Sequence, residues 1–468
     1  MIEVVAIDTP SLGNRSYVAT DGSVAVVVDP QRDIDRFLAV ATERDVRITH
    51  VAETHMHNDY VSGGLALARA VGGEYLVNED DAVSFDRTPI RAGDVIASGE
   101  LRLRVVHTPG HTFTHLAYVL EDPTGAVVGV FTGGSLLFGS TGRPDLLGVE
   151  HAETLARQQH ASAQRLAREL PGHAQVFPTH GFGSFCSATQ SKADTSTITA
   201  EAKGNPVLTA DEDAYVEGLL AGLGDYPAYY AHMAPSNAAG PPPVDLSPPS
   251  VADPDELRRR LDAGEWVVDL RDRRAFAAGH LGGTLNFGLG TSFATYLGWL
   301  IPWGTPLTLL AETAEQVAAA QRDLVRLGID RPAAMATGGL EQWGDGRPSA
   351  SLRRVTFADL AAEWDSDSQP DPYVLDVRRD DERAARYLPG TAHIPLHRLA
   401  DRLDEVPRDR PVWVHCAIGY RASIAASLLE QAGHDVVLID DNFRNASAAS
   451  NAGEKAARRR SPSELPGS

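Results

Sequence analysis

Residues 54–60, Thr54-His55-Met56-His57-Asn58-Asp59-Tyr60, carry the strongest indication of fold in this chain. They close a hydrophobic run and are followed by Val61-Ser62-Gly63-Gly64. Alternate residues at the end of an extended strand point the same way, so His55 and His57 can converge on one metal ion. A pair of solvated loop histidines is the alternative. The density of imidazole and carboxylate groups favours a metal site.

Two more histidines occur where apolar segments end. His111 lies in Thr108-Pro109-Gly110-His111-Thr112, and His180 lies in Pro178-Thr179-His180-Gly181. Loops on a β-rich scaffold bring such distant residues together. We therefore expect a dispersed metal site with these candidate ligands: His55, His57, His111, His180 and Asp59.

The order and spacing of these residues, with the Gly-Gly-Ser-Leu-Leu turn at 133–137, resemble the metallo-β-lactamase superfamily over residues 1–190. Within it, Gly142-Arg143-Pro144-Asp145 and the run 178–186 are most similar to the persulfide dioxygenases. These are iron enzymes of sulfide oxidation, related by fold to the glyoxalase II hydrolases. The resemblance implies an αββα sandwich, with a low-molecular-weight thiol persulfide and dioxygen as substrates and sulfite as product.

Two positions depart from the pattern of that superfamily. Tyr60 stands where a histidine is usual, so the second metal position loses a ligand. Gly134 stands where an aspartate would complete a two-histidine, one-carboxylate iron site. We expect one Fe(II) per chain, with Zn as the alternative. The ligand set stays open between three-histidine ligation by His55, His57 and His111, recruitment of Asp59, and a water held by Ser135. A metal-free relic is a further alternative.

Three other residues are candidates for binding substrate. Arg143, as an exposed arginine near the metal, is expected to pair with a carboxylate of the thiol, with Asp145 holding its orientation. A structural ion pair between Arg143 and Asp145 is the alternative. Cys186 follows His180-Gly181. Its thiol either contacts substrate sulfur or packs as an inert buried group.

Length and composition fit a multidomain enzyme. The chain has 468 residues, of which 43% are hydrophobic and 22% charged. No window approaches the apolar length that a bilayer requires, and the N-terminus lacks the basic region of a signal peptide. Two cysteines suit a reducing cytoplasm. A net charge of −21 argues against nucleic acid or anionic membrane as a partner. We expect a cytoplasmic enzyme, and leave open whether it forms a homo-oligomer.

Composition divides the chain into five segments. Residues 1–235 form the first domain with a C-terminal helical extension, and residues 236–250 are a proline-rich linker. Residues 251–347 and 352–445 follow as two further domains. Residues 446–468, rich in Ala, Ser, Asn and Arg, are expected to be a flexible tail.

The two domains after the linker form an internal repeat. Val267-Val268-Asp269-Leu270-Arg271 corresponds to Val374-Leu375-Asp376-Val377-Arg378. Each half alternates buried strands with helices, which predicts an α/β domain with a parallel sheet covered on both faces. The pattern resembles rhodanese domains, although an Asp-x-Arg pair by itself is a common buried salt bridge.

The sharper signal in the second repeat is His415-Cys416-Ala417-Ile418-Gly419-Tyr420-Arg421. A hydrophobic strand delivers Cys416 into a tight loop, and amides at the start of the next helix stabilise a thiolate there. Gly419 permits close backbone approach, and Arg421 adds positive charge. A cysteine-based phosphatase is the nearest alternative, but its arginine lies six positions after the cysteine, whereas Arg421 lies five after Cys416. The short loop favours sulfur over phosphate.

The first repeat lacks this equipment. Aligning Pro306 with Pro411 places Ala311 opposite Cys416 and Gln316 opposite Arg421. We therefore predict a degenerate first repeat with a structural or docking role. The sequence as a whole favours a persulfide dioxygenase–sulfurtransferase that forms thiosulfate. The alternatives are a zinc hydrolase of the glyoxalase II or lactonase type fused to a thiosulfate sulfurtransferase, and a non-catalytic sulfur-carrying or regulatory protein.

Overall fold

The computed structural model describes residues 2–190, 193–345, 349–366 and 371–459. It divides into two compact units, one of Met1–Asp245 with Arg322–Asp330 and one of Leu246–Gln321 with Arg331–Ser468. The sequence-based division instead places residues 322–330 in the first repeat. The expected end of that repeat at 347 lies outside the described residues. Among the helices of the described ranges, none is long and apolar enough to cross a membrane.

Two sheets form the centre of the first unit. The first sheet has the order β1-β2-β3-β4-β5-β6, and the second has the order β11-β10-β9-β8-β7. The strands of the first sheet are β1 Glu3–Thr9, β2 Asn14–Thr20, β3 Val24–Val28, β4 Arg47–Ala52, β5 Glu74–Asn78 and β6 Thr88–Ile90. Those of the second are β7 Val95–Ser98, β8 Leu101–His107, β9 Leu116–Glu121, β10 Val127–Gly133 and β11 Gln175–Pro178.

Helices cover the outer face of each sheet. The helices of the first unit are α1 Asp35–Glu43, α2 Gly64–Val71, α3 Ala152–Glu169, α4 Ile198–Gly204, α5 Pro206–Thr209, α6 Glu212–Ala221 and α7 Tyr230–Ala239. Strand β3 shows why the layers form, because Val26 and Val28 enter the core between the sheets while Ala25 and Val27 face α1 and α2. A strand buried on both faces reads as a continuous apolar run. The predicted αββα sandwich is confirmed.

The helices that directly follow β11 pack on α3. Asn205 ends α4, and its side-chain oxygen caps α5 by accepting a hydrogen bond from the Val207 amide, with Pro206 at the first helical position. This is the position where proline is best tolerated in a helix. The last helix of the unit, α7, contains Pro235 and runs through residues expected to be linker. Irregular backbone begins only at Gly240.

The second unit contains two parallel sheets, one for each repeat. The first repeat has α8 Pro254–Asp262, β12 Trp266–Asp269, α9 Arg273–Ala278, β13 Leu285–Asn286, α10 Phe293–Leu300, β14 Leu307–Ala311, α11 Ala314–Val325, β15 Ala334–Thr337 and α12 Leu340–Gly344. Its sheet has the order β13-β12-β14-β15. Helix α11 ends in the segment that groups with the first unit, where Arg326 pairs with the buried Asp33 at 2.6 Å.

The second repeat has the same plan with one more strand. Its elements are β16 Arg353–Val355, α13 Phe357–Asp365, β17 Tyr373–Asp376, α14 Asp380–Ala385, β18 Ala392–His393, α15 Leu396–Leu399, β19 Val412–His415, α16 Tyr420–Gln431, β20 Val436–Ile439 and α17 Ser447–Arg459. The strands are parallel in the order β16-β20-β19-β17-β18. The two predicted α/β parallel-sheet domains are confirmed.

The C-terminal segment differs from the expected flexible tail. Residues 447–459 form α17, whose Ala449 and Ala452 join the core around Trp364. Small residues allow this close packing, since a Cβ at Gly453 would lie 2.3 Å from the Pro389 carbonyl oxygen. The composition of the segment indicated disorder because alanine-rich, polar sequence gives little sign of which face is buried. Residues 460–468 lie outside the described residues.

Candidate functional site

Four buried histidines lie at strand ends in the first unit. His55 and His57 follow β4, His111 lies between β8 and β9, and His180 follows β11. The ligand atoms of His55, His57 and His180 all lie within 4.8 Å of one another. The same holds for His111, His180 and Cys186. The structure thus brings the predicted histidines into one cluster, with His180 common to both sets.

The outer nitrogen of His57 is held by two carboxylates. Its Nε2 lies 3.1 Å from Glu53 Oε2 and 3.3 Å from Asp29 Oδ1. Burial opposes a charged imidazole, yet the Asp29 carboxylate, followed by that of Glu53, raises the pKa of His57 to about 10. At neutral pH both nitrogens of this imidazole are therefore protonated. A metal ion in the cluster would displace the proton on Nδ1, while the two carboxylates would retain the one on Nε2.

His55 and His111 are oriented in the same manner. The Thr54 hydroxyl donates to Asp29, so it accepts from His55 Nδ1 at 2.9 Å and leaves His55 Nε2 with a free lone pair. His111 Nδ1 donates to the Arg143 carbonyl at 2.8 Å, which frees His111 Nε2. Hydrogen bonds to the outer nitrogen are the usual way in which proteins fix the tautomer of metal-binding histidines.

Asp59 and Asn14 orient His180. The Nδ1 of His180 lies 3.1 Å from Asn14 Oδ1 and 3.2 Å from Asp59 Oδ2. Its Nε2 lies 3.4 Å from His55 Nε2. Asp59 Oδ2 also accepts from Asn14 Nδ2 and from the Ser184 hydroxyl, each at 2.9 Å. One carboxylate oxygen of Asp59 thus supports the cluster, while Oδ1 remains available.

The unshared donor atoms fit a metal ion. Among the described residues, His57 Nδ1, His111 Nε2 and Asp59 Oδ1 are buried without a hydrogen-bond partner. Buried polar atoms are rarely left unpaired in proteins. Burial and neighbouring imidazoles lower the pKa of His55 well below its ordinary value, and burial with His180 lowers that of His111 to about 3. Neutral imidazoles with free nitrogens are the form that binds iron or zinc.

The two positions that depart from the superfamily pattern are filled by other groups. The Tyr60 ring stacks on His57 at a centroid distance of 4.3 Å, and its hydroxyl donates to the Asp29 carbonyl. At Gly134, a Cβ atom would lie only 2.3 Å from His111 Cδ2. A carboxylate at position 134 would therefore need the His111 ring to move. The Ser135 hydroxyl donates to the Thr132 carbonyl, which does not favour its use for holding a water.

Sequence reasoning missed His115, which lies beside the cluster. Its Nε2 accepts from the Gly134 amide at 3.0 Å, its Nδ1 contacts the Thr108 hydroxyl, and its ring stacks on His55. Both of its nitrogens are thus engaged in supporting the Gly134 turn. Asp29 and Glu53 were also missed, although each directly follows an apolar strand, β3 or β4. Polar residues at the ends of buried strands were the available signal.

The expectation that Arg143 is exposed was wrong. The residue is 4% exposed, and its guanidinium binds both oxygens of Asp145 at 2.7 Å. It also donates to the Gly224 carbonyl and lies over the Tyr226 ring. The geometry favours the structural ion pair, because these contacts fix the loop whose carbonyl orients His111. Substrate binding by Arg143 and Asp145 stays a prediction.

Cys186 is fully buried in the cluster. Burial, followed by the Asp59 carboxylate, raises the pKa of its thiol well above the ordinary value. The Cys186 amide donates to the Ser184 hydroxyl, and the Cys186 carbonyl accepts from the Arg143 amide. The thiol is therefore neutral beside His111 and His180. Its role in contacting substrate sulfur stays a prediction.

Asn237 of α7 holds the loop that carries His57. Its Nδ2 donates to the carbonyls of His57 and Tyr60 at 3.0 and 2.9 Å. Its Oδ1 accepts from the Ser62 amide at 2.8 Å. The Asn237 side chain is buried and makes three hydrogen bonds to one loop. Helix α7 therefore fixes the backbone of the loop that carries His57. No local sequence signal connects residue 237 with residue 57.

In the second unit, β19 delivers Cys416 into the predicted loop. The Gly419 amide donates to Cys416 Sγ at 3.2 Å, and Gly419, at φ +93°, caps the start of α16. Only 1% of Cys416 is exposed. A Cβ at Gly419 would lie 2.4 Å from Asp440 Oδ1, so both the backbone conformation and the close approach favour glycine here.

Arg421 is bound by a carboxylate of the same repeat. Its two terminal nitrogens bind the two oxygens of Glu382 at 2.5 and 2.7 Å. Burial opposes ionisation of Glu382, and Arg421 holds the pKa of this carboxyl below its usual range. The guanidinium of Arg421 is charged, and Glu382 pairs with that charge beside the Cys416 loop.

The first repeat preserves the framework of the second without its thiol. Asp269 and Arg271 form the same bidentate pair as Asp376 and Arg378. Asp269 is in register with Leu310, as Asp376 is with His415. The next residue is Ala311 in the first repeat and Cys416 in the second, which agrees with the sequence alignment of the repeats.

Comparisons with known proteins match the two repeats to one family and the first part of the chain to another. Residues 253–345 and 357–449 match the rhodanese-like domain family. A hydroxyacylglutathione hydrolase of Gloeobacter violaceus is 30% identical over 215 residues, which cover 44% of this chain and 80% of that protein. The chain spans about half the length of some other curated relatives. One is the atrochrysone carboxyl ACP thioesterase AgnL7 of Paecilomyces divaricatus, 30% identical over 36% of this chain and 52% of that protein.

One solved structure matches a larger share of the chain than these curated relatives do. The crystal structure of a metallo-beta-lactamase from Staphylococcus aureus subsp. aureus COL matches with a TM-score of 0.64 at 26% sequence identity. The match covers 72% of this chain and 99% of that one.

Proposed function

The chain belongs to the metallo-β-lactamase-fold family that includes the hydroxyacylglutathione hydrolases, and on that basis we propose that it is a persulfide dioxygenase joined to a sulfurtransferase. The observation that supports this most is the presence, in one chain, of a buried histidine cluster with free nitrogens and a cysteine loop that can carry sulfur. A cysteine loop that carries sulfur can transfer sulfane sulfur from a persulfide to the sulfite that the first reaction forms.

The first reaction converts a thiol persulfide, dioxygen and water into the free thiol and sulfite. The terminal sulfur is oxidised by four electrons, and dioxygen accepts them. Iron(II) held by His55, His57 and His111, with Asp59 and His180 as further donors, would supply the redox chemistry that dioxygen requires. Asp29 and Glu53 hold the proton on His57 Nε2, and the Arg143 carbonyl holds that on His111 Nδ1. The Tyr60 ring packs on the His57 imidazole and helps to hold its orientation.

The second reaction is carried by Cys416. Its thiolate attacks the sulfane sulfur of a persulfide donor, an S–S bond forms on Cys416, and the donor leaves as a thiolate. The sulfur lone pair of sulfite then attacks the terminal sulfur, which gives thiosulfate and regenerates the Cys416 thiolate. The Gly419 amide stabilises the anionic sulfur in both steps.

Metal analysis and oxygen uptake test the proposal together. The purified full chain should contain about one iron and consume dioxygen when glutathione persulfide is added, with one sulfite formed per dioxygen in the Cys416→Ala variant, where no thiosulfate is made. The matched control is His111→Ala, which should lose metal and oxygen uptake. Glutathione persulfide turnover without oxygen uptake in an iron-loaded protein would overturn the dioxygenase assignment.

A zinc-dependent hydrolase is the second candidate function, and the hydrolase relatives favour it. A probable polyketide biosynthesis zinc-dependent hydrolase, BaeB of Bacillus velezensis, is 29% identical over 177 residues. On this alternative, the zinc-loaded protein cleaves a glutathione thioester and consumes no dioxygen. Two zinc ions per chain with thioester cleavage would establish the hydrolase. Tyr60, which replaces a ligand of the second metal position, favours the dioxygenase.

A further inference from the structure

The first repeat packs against the helix that follows the Cys416 loop. The Ser423 hydroxyl donates to the side-chain oxygen Oδ1 of Asn286 at 2.5 Å, and the backbone N–H of Asn286 donates to the Ser427 hydroxyl at 3.0 Å. Both serines lie on α16, which begins directly after Gly419. Arg273 of the first repeat also binds Asp440 at 2.6 Å. A Cβ at Gly419 would lie against this pair, so the first repeat reaches the loop itself.

Helix α10 brings aromatic side chains of the first repeat to the same loop. The Tyr296 ring lies 6.0 Å from the ring of Tyr420, which stands between Gly419 and Arg421. The Tyr420 hydroxyl donates to the Gly288 carbonyl of the first repeat, so the Tyr420 side chain is fixed. On the other side, the Tyr296 ring stacks with Trp299, and Trp299 stacks on His397 of the second repeat. The Tyr296 ring thus lies between Trp299 and Tyr420, the residue that follows Gly419 of the Cys416 loop.

The charged groups that influence the Tyr296 phenol belong to the sulfur-transfer site. Burial raises the pKa of Tyr296, and the charges that act on it are those of Arg421, Arg379, Glu382 and the Cys416 sulfur. The phenol therefore stays protonated and is a neutral hydrogen-bond donor. Arg421 is already bound by both oxygens of Glu382. Tyr296 of the first repeat therefore brings a neutral phenol close to the charged groups of the second repeat's cysteine loop.

We propose that Tyr296 of the first repeat binds substrate at the Cys416 site, and that its hydroxyl donates a hydrogen bond to an oxygen of a small sulfur oxyanion. The oxyanion is sulfite, or the sulfonate group of thiosulfate, which share the same oxygens. The inference rests on the sulfurtransferase activity proposed above. It also gives the first repeat a part in the reaction although Ala311 replaces the cysteine. No new bond is made or broken by Tyr296, because it only holds the oxyanion in place.

Kinetics of the Tyr296→Phe variant of the full chain test this inference. A hydrogen bond to a charged group contributes about 1.5 kcal/mol or more, so we expect the KM for thiosulfate in thiosulfate:cyanide sulfurtransfer to rise about 10-fold. The inhibition constant of sulfite should rise by a similar factor, while kcat and the KM for cyanide stay within about twofold. The matched control is Tyr387→Phe, since Tyr387 is 58% exposed and its loss should leave all these constants unchanged. A fall in kcat with an unchanged KM for thiosulfate would overturn the proposal.

A binding measurement separates this inference from the activity. Calorimetry of thiosulfate binding to Cys416→Ala, which cannot transfer sulfur, should give a Kd about 10-fold weaker when Tyr296→Phe is added. Equal affinity in the two proteins would refute the role of Tyr296. If the wild type fails to transfer sulfur but the affinities differ, the sulfurtransferase proposal falls and the oxyanion site stands.

Discussion

At the scale of the residue, the candidate metal centre depends on where each histidine keeps its proton. His57 presents Nδ1 because carboxylates hold its Nε2, whereas His111 presents Nε2 because a carbonyl holds its Nδ1. Opposite nitrogens of two identical side chains thus become available through different partners. A single histidine in the sequence gives no indication of this choice.

Gly134 is predicted to be required for metal binding, because a side chain at this position would overlap the His111 ring. Gly134→Ala places a Cβ about where the His111 ring now lies, at 2.3 Å from its Cδ2. Overlap of this kind costs about 1–3 kcal/mol, so metal affinity should fall about 10-fold or more. Competitive titration with a chelator of known affinity measures this. Gly204→Ala is the matched control, since a Cβ there meets nothing within 4 Å and metal binding should be unchanged.

The same geometry opposes Gly134→Asp, although an aspartate there would complete the two-histidine, one-carboxylate ligand set that the sequence pattern lacks. The aspartate would need the same shift of His111. We therefore expect weaker binding in this variant also. Tighter binding than in the wild type would show that His111 can move without loss.

His415 is predicted to make the second repeat sensitive to acid. Burial, and to a lesser degree Arg378, lowers the pKa of His415 to about 4, compared with about 6.5 in the unfolded chain. Between these pH values the unfolded chain binds one more proton, so the free energy of unfolding falls as pH falls from 6.5 towards 4. The loss reaches about 3 kcal/mol over this window.

The variant His415→Phe isolates this contribution. Phe357 and Phe443 already surround the ring, so phenylalanine suits the site. The difference in urea unfolding between pH 7 and pH 5 should be smaller in the variant by about 2 kcal/mol. An identical pH dependence in the two proteins would exclude His415 as its source.

At the scale of the element, α7 acts on a loop that lies 180 residues earlier in the sequence. The side chain of Asn237 joins the carbonyls of His57 and Tyr60 to the Ser62 amide. Groups that orient a metal site without touching the metal commonly change its affinity by 10- to 100-fold. The helix is therefore part of the site, although composition indicated that a linker begins within it.

Asn237→Ala should lower metal content and oxygen uptake by about 10-fold or more, because the loop backbone loses three hydrogen bonds. Metal analysis and an oxygen electrode measure this. Ser236→Ala is the control, since the Ser236 hydroxyl donates only to the His232 carbonyl within α7. Equal losses in both variants would indicate damage to the helix and not to the loop.

At the scale of the whole molecule, two chemistries are assigned to separate units of one chain. The histidine cluster belongs to the first unit and the Cys416 loop to the second. Each centre has its own orienting residues in its own unit. Loss of one centre should therefore leave the other intact.

Two single variants test this separation. Cys416→Ala should abolish thiosulfate:cyanide sulfurtransfer and keep oxygen uptake on glutathione persulfide within about twofold of the wild type. His111→Ala should do the reverse. Parallel assays of both variants measure this, and the loss of both activities in either protein would indicate a single shared site.

The sequence by itself determined the folds and indicated which side chains are candidates for the two sites. His55-x-His57-x-Asp59 and Cys416-x-x-Gly419-x-Arg421 are local patterns, in which strand ends and a helix start fix the geometry within a few residues. The internal repeat can be recognised in the sequence because an Asp-x-Arg motif follows an apolar strand in both halves. Spacing along the chain is sufficient for such features because their chemistry is short-range.

Only the tertiary structure decided which atoms of these groups are available and what supports them. Arg143 donates to the Gly224 carbonyl, and Asn237 holds the loop that carries His57. Packing between the repeats brings Tyr296 against Tyr420. Each is a contact between residues far apart in sequence. Local propensity and spacing carry no information about such contacts, because they arise only when separate elements bury their apolar faces against one another.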